Sequence, residues 1–246
     1  MKALFLIPLL VATAWSQQKV PPKVVRFLPL GQIPNLEPLG IDPDTKARIF
    51  KDPPKGAYLP KGLALQNGNN QTPLILTLST LTKPIQIPGN MKQIEIKEVN
   101  AGNPWLTSKK AIPSSGLGVL YRDPQAMSWL NPKMLLLPDD ARSFPKNHVR
   151  IVNTSDVMVL YRIGEGKNPT TYGIPPGQVR VKPLKVGETM IWLGTNSPKK
   201  PYPEAWSNRV TLKDGERTQF FCYKPQHKKK DVHVLVEWKT EKAPPR

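Results

Sequence analysis

Cys222 is the chain's one cysteine, and a thiol acts as a nucleophile only where a base or positive charge holds it as thiolate. It lies in the apolar run Phe220-Phe221-Cys222-Tyr223, where a small buried hydrophobe is the expected role. The three histidines, His148, His227 and His233, include no pair at zinc-ligand spacing, and one cysteine cannot supply the other half of a structural zinc site. His227 and His233 are read as solvated rings. Asp42-Pro43-Asp44 opens like a calcium loop, yet its sixth position is Ala47 rather than glycine and its twelfth is Pro53 rather than glutamate. A capped turn fits it better. Asp139 and Asp140 are adjacent carboxylates that point apart on an extended chain, so they make no acid and base pair. No Gly-x-Ser-x-Gly elbow and no phosphate-binding glycine loop is present. The expectation is a protein that is no enzyme and carries no cofactor or metal, with a hydrolase as the remote alternative.

Lysine is the other chemistry. The chain has 36 basic and 18 acidic residues, a net charge of +18. Residues 17–141 hold 15 basic and 9 acidic residues, or +6, and residues 142–246 hold 20 and 9, or +11. Lys228-Lys229-Lys230, with Lys224 before them and Lys199-Lys200 in another loop, form the candidate site for an acidic polysaccharide or other extracellular polyanion. The competing reading is a dispersed cationic surface that keeps an exported chain soluble. It is the one preferred here, because most of the basic residues are single and scattered. Tyr202 and Trp206 among Pro198, Pro201 and Pro203 could form an aromatic platform, but core packing is expected for Trp206.

The elements that carry these residues are short. Proline makes up 29 of 246 residues and breaks helix interiors, and the apolar runs between the prolines are too short for helices. Strands are expected at Val24–Leu28, Leu74–Leu78, Gln93–Lys97, Leu117–Tyr121 and Met134–Leu137. Others are expected at Val149–Val152, Val157–Ile163, Gln178–Lys182, Thr189–Leu193, Arg209–Leu212, Gln219–Tyr223 and Val232–Trp238. In the last, Val232, Val234, Val236 and Trp238 share one face and His233 and Glu237 the other. Leu212-Lys213-Asp214-Gly215 reads as a hairpin turn, and Ile174-Pro175-Pro176-Gly177 as a turn between strands.

The pattern occurs twice. Val25-Arg26-Phe27, Ile87-Pro88-Gly89, Trp105, Ile112, Gly116 and Tyr121 match Val149-Arg150-Ile151, Ile174-Pro175-Pro176-Gly177, Trp206, Leu212, Gly215 and Tyr223. Trp to Tyr spans 16 positions in the first copy (121 − 105) and 17 in the second (223 − 206). The expected architecture is all-β, two tandem immunoglobulin-like antiparallel β-sandwich domains. Residues 17–141 form the first, with a long loop insertion over about 30–70, and residues 142–246 the second, strongly basic one. Met1-Lys2, the apolar run Ala3–Ala12 and Ala14-Trp15-Ser16 read as a signal peptide, 1–16, cleaved at Ser16. The run is too short to span a bilayer, so the mature chain is expected to be secreted or periplasmic, without a transmembrane segment. Asn153-Thr154-Ser155 matches a glycosylation acceptor and is given no weight.

The order Val149-Arg150-Ile151-Val152-Asn153-Thr154-Ser155, then Ile174-Pro175-Pro176-Gly177, then Val210-Thr211-Leu212-Lys213-Asp214-Gly215 and an aromatic strand resembles an uncharacterised domain family of secreted bacterial proteins. Its members read "VRVVNAS", "VPAG" and "TLTLAAG" and have immunoglobulin-like or transthyretin-like folds. The resemblance covers about 75 residues of the second half and, in the first half, only the later portion. It implies an exported β-sandwich and transfers no catalytic residues. The functional expectation is a non-catalytic binding or structural protein of the cell envelope, with protein or acidic glycan partners. Its alternative is a cationic module that binds polyanions.

Overall fold

The structure is a computed structural model that describes residues 20–67, 70–99, 102–165, 169–195, 204–226 and 232–245. The signal peptide with Ser16, and Lys199, Lys200, Tyr202, His227, Lys228, Lys229 and Lys230, lie outside the described residues. Every regular element among the described residues is a strand, and among those residues no helix is long and apolar enough to cross a membrane.

The chain up to Pro138 builds β1 (Lys23–Leu30), β2 (Pro38–Ile41), β3 (Arg48–Phe50), β4 (Leu63–Asn67), β5 (Asn70–Leu74), β6 (Ile85–Ile87), β7 (Glu95–Glu98), β8 (Pro104–Thr107), β9 (Ser115–Tyr121) and β10 (Lys133–Pro138). The chain from His148 builds β11 (His148–Asn153), β12 (Val159–Ile163), β13 (Tyr172–Ile174), β14 (Val179–Pro183), β15 (Gly187–Thr195), β16 (Glu204–Leu212), β17 (Glu216–Tyr223) and β18 (Leu235–Lys242). Four of the sheets have four strands each, in the orders β10-β9-β1-β6 and β5-β4-β7-β8, then β14-β11-β17-β18 and β13-β12-β15-β16. These orders match strand for strand between the halves, β1 with β11 and β10 with β18, once β2 and β3 are set aside. The repeat seen in the residues is a repeat of topology.

Each half is a sandwich whose two inner faces meet in an apolar core. Val25, Phe27, Leu63, Leu65, Ile96, Leu106 and Leu120 meet in the first, and Val149, Ile151, Tyr161, Ile191, Leu193, Phe220 and Cys222 in the second. The sheets are not wholly antiparallel, because β1 pairs parallel with β9 and β11 parallel with β17. A parallel pair needs a long crossover, and the intervening strands of the opposite sheet supply it.

Two expected turns are placed differently. Asp214-Gly215 does not close a hairpin: Gly215 has φ +83° as the turn demands, but it carries the chain from β16 into β17, which belong to different sheets. Ile87-Pro88-Gly89 leads out of β6, which pairs with β1, whereas Ile174-Pro175-Pro176-Gly177 leads out of β13, which pairs with β12. These two turns are one strand out of step. Strands β2, β3, β4, β6, β8 and β13 carry three to five residues each, too few to show a period, and fell between the expected runs. Leu74–Leu78 is strand only at Leu74, and Val232–Val234 precede β18.

A third apolar layer lies between the halves. Leu28, Leu30, Leu117, Val119 and Leu137 of the sheet β10-β9-β1-β6 pack on Val152, Phe221 and Tyr223 of the sheet β14-β11-β17-β18. The four sheets are therefore stacked face to face. The sequence reason is that β1, β9, β11 and β17 are buried on both faces, so their apolar runs are almost continuous rather than alternating.

Candidate functional site: the seam between the halves and the insertion above it

Alternation along a strand sends every second side chain into the seam. From β1 these are Arg26, Leu28 and Leu30, from β11 Arg150 and Val152, and from β17 Arg217, Gln219, Phe221 and Tyr223. At the end nearest the linker, charge replaces apolar contact. Asp139, its side chain 2% exposed, binds Arg26, Arg150 (2.8 Å) and Arg217 (3.1 Å). Glu241 binds Arg26 at 2.8 Å and Arg217 at 2.7 Å. Arg150 also donates to the Pro138 carbonyl (2.8 Å) and to Gln219 Oε1 (2.6 Å). The guanidiniums of Arg150 and Arg217 lie 4.2 and 4.6 Å from the Phe144 ring centroid. Burial pulls the Arg150 pKa down to about 10, against the pull of Asp139. Burial opposes ionisation of Glu241 as well, but the hydrogen bond and charge of Arg26, with Arg217, outweigh it and hold its carboxyl below the usual range. Asp140 turns away to cap the linker, accepting from Arg142 N (2.9 Å) and Ser143 N (2.8 Å).

The far end of the seam has different chemistry. Glu237 accepts from Tyr223 Oη and Ser79 Oγ, both at 2.7 Å. Burial, reinforced by that carboxylate, pushes the Tyr223 hydroxyl pKa up. Glu237 does lie opposite Val236 and Trp238, but the face it shares is the seam and not solvent. Lys224 donates to the Pro124 carbonyl (2.7 Å) and to Asp156 (2.6 Å), so it ties the halves together at the rim instead of standing free in a cationic patch. A cleft of about 320 Å³ opens beside it, lined by Tyr121, Asp123, Lys133, Thr154 and Asp156. Its charges pair internally, with Asp123 to Lys133 at 3.0 Å.

Arg122 is 5% exposed. It donates to the carbonyls of Gln32 (2.9 Å) and Ala57 (2.8 Å), and to Gln226 Oε1 (2.5 Å) of the other half. Its guanidinium lies 5.4 Å from the Trp129 ring centroid, and burial lowers its pKa to about 10. Between Gln32 and Ala57 runs the insertion, whose regular part is the two-stranded sheet β2-β3. No residue of either strand is buried. Six of the fifteen large exposed hydrophobic side chains among the described residues fall in this segment, Ile33, Leu36, Leu39, Ile41, Ile49 and Phe50, and Tyr58 follows directly after it. At its tip, Asp42 Oδ1 accepts from Asp44 N (2.9 Å) and Thr45 N (2.8 Å), the capped turn expected there.

The reactive residue types are accounted for by packing. Cys222 is fully buried and desolvation pushes its pKa up to about 12. Trp206 packs its ring on Phe220 (5.0 Å) and Trp238 (5.4 Å) at the edge of the second core. Asn153 is buried and donates to the carbonyls of Val157 and Ile174, which leaves no room for a glycan. Among the described residues no group of three or more His, Cys, Asp or Glu side chains could hold a metal ion. Sequence reading passed over Arg26, Arg122, Arg150 and Arg217 because they were counted as surface charge. Val25-Arg26-Phe27 and Val149-Arg150-Ile151 did carry the signal, since a charge flanked by apolar residues in a two-face-buried strand must be paired.

No family model matches the chain, and no curated protein matches it. Among solved structures it is similar to one described as a "putative cell adhesion protein" from Parabacteroides distasonis, at 7% identity and a TM-score of 0.20, over 90% of this chain and 97% of that one. A superposition that loose carries no inference about this chain's role.

Proposed function

We propose that this chain is an exported, non-catalytic binding protein of the cell envelope that holds a protein partner through the insertion hairpin β2-β3. One observation carries the reading: a hairpin with no buried residue and the arms that lead into it carry six of the fifteen large exposed apolar side chains among the described residues. A two-stranded sheet is marginal in water by itself, and clustered exposed apolar surface marks an interaction site. Its charges indicate the kind of partner. Between residues 33 and 58 lie Glu37, Asp42, Asp44 and Asp52 against Lys46, Arg48, Lys51 and Lys55, four of each sign. A polyanion calls for a cationic surface and a lipid bilayer for an apolar tip, whereas this tip is Asp42-Pro43-Asp44-Thr45-Lys46. Apolar side chains among balanced charges fit the surface of another protein. Export rests on the signal-like N-terminus. Replacing residues 38–50 by a short Gly-Ser turn is expected to leave the melting temperature unchanged and abolish binding of the partner. Retained binding sinks the reading.

The cationic alternative has its own support. Strand β15 ends at Thr195, opposite Val159, and β17 ends at Tyr223, one residue past Cys222, which pairs with Asn153. The strands that lead into Lys199-Lys200 and Lys228-Lys229-Lys230 thus finish at one end of the second sandwich. Salt-sensitive retention on a heparin column that is lost on replacing Lys228, Lys229 and Lys230 by Ser is the expected result of that reading, and elution at low salt refutes it.

A further inference from the structure

We infer that Arg122 is a clasp that fixes the direction in which the insertion presents its hairpin, and that it couples that direction to the seam. The inference rests on the hairpin as the binding element. One Arg122 nitrogen, Nη2, donates to both ends of the insertion, to the Gln32 carbonyl at 2.9 Å and the Ala57 carbonyl at 2.8 Å, and so closes the base of a loop of more than twenty residues. The other, Nη1, reaches Gln226 Oε1 at 2.5 Å, and Gln226 N donates back to Gln32 Oε1 at 3.3 Å. The guanidinium faces the Trp129 ring, and Trp129 N donates to the Gly56 carbonyl at 2.7 Å. The platform is anchored in turn, because Trp105 Nε1 donates to the Trp129 carbonyl at 2.7 Å.

The chemistry suits a clasp. The protein partners of the two terminal nitrogens are two carbonyls and an amide, all neutral, and the group is buried deeply enough to lower its pKa to about 10. A buried cation whose terminal nitrogens meet neutral acceptors and whose Nε has no partner among the described residues is held by geometry more than by charge, and each bond it loses is expensive. Arginine's rigid fork fixes the directions of its acceptors from two separate nitrogens, whereas lysine's three donors rotate about a single one. Above this base the hairpin is closed again, Lys51 N donating to the Glu37 carbonyl at 2.8 Å. The insertion is thereby tied at two levels, and its lower tie is shared with the second half. A binding element fixed before its partner arrives loses less conformational freedom on binding.

The test measures the distance between nitroxide labels on the full chain at Ala47→Cys, on the hairpin, and Lys185→Cys, on the second half. Cys222 is fully buried and stays unlabelled. The expected result is one narrow distance distribution in the otherwise unchanged chain. It should be at least twofold broader in Arg122→Gln and broader by a smaller factor in Gln226→Ala, with the far-ultraviolet circular dichroism unchanged. A broad distribution without any clasp substitution overturns the inference, and so does an unaltered width in folded Arg122→Gln. If Arg122→Gln does not fold, Gln226→Ala decides alone, and an unaltered width there overturns it. No partner is involved in the measurement, so its failure is distinct from a failure of partner binding.

Discussion

At the scale of single residues, the seam is decided by where charge is buried. Three arginines meet two carboxylates at its linker end, and desolvating ions repays its cost only when every member is hydrogen bonded. Asp139 meets that condition through Arg26, Arg150 and Arg217. Glu241 gives the cluster a pH dependence with a definite sign. Its folded pKa is depressed below the unfolded value near 4.5, so its contribution is fully present above that value and is lost as the pH falls through the folded one. Urea unfolding of Glu241→Gln followed from pH 6 to pH 3 should therefore show a shallower loss of stability below pH 4.5 than the parent chain. Equal slopes would mean that Glu241 is not the group being titrated. Little of this was legible in the sequence. The position of Arg26 and Arg150 within apolar strands was visible, but which carboxylates they meet depends on bringing residues 26, 139, 150, 217 and 241 together, and no local spacing encodes that.

At the scale of elements, the strands that read most clearly are those with long apolar runs, and the insertion is the opposite case. Leu117–Tyr121 and Gln219–Tyr223 lie within β9 and β17 because burial on both faces favours continuous apolar, β-prone sequence, and the apolar run Met134–Leu137 lies within the edge strand β10. β2 and β3 gave no such signal, since an exposed hairpin has no face whose composition a core dictates. Its base does depend on one residue. Gly56 has φ +77°, and a Cβ there would overlap Ser128 Oγ and Leu130 Cγ. Gly56→Ala is expected to cost about 1–3 kcal/mol, read by urea denaturation, and to speed proteolysis within residues 33–56. A neutral substitution would show that the base of the insertion is not held as described.

At the scale of the whole molecule, tandem sandwiches joined by a short linker move independently unless their interface is large and apolar. Here the interface is a core in its own right, with Leu28, Val119, Val152 and Phe221 each no more than 1% exposed. The two halves should unfold in one cooperative transition. Phe221→Ala removes the aromatic centre of the seam at a cost of ~3–5 kcal/mol and should split that transition into two, seen by calorimetry. A single undiminished transition would mean that the seam does not couple the halves. The tandem repeat and the sandwich class were open to sequence reading, whereas face-to-face stacking was not, because nothing in one strand specifies which distant strand covers its second face.

The stack leaves one end of the molecule for the linker and its ion cluster and the other for the insertion, and the binding role assigned to that insertion is the account's central claim. Site-specific photo-crosslinking in producing cells tests it most directly, with the photoreactive residue placed at Phe50 on the hairpin or at Val186 near the linker end, both exposed. The account predicts that Phe50 gives a discrete crosslinked protein, which binds the purified chain and loses at least tenfold in affinity with Leu39→Ser and Ile41→Ser. Val186 should give none. Crosslinking that is equal at the two positions, or absent at Phe50, would contradict it.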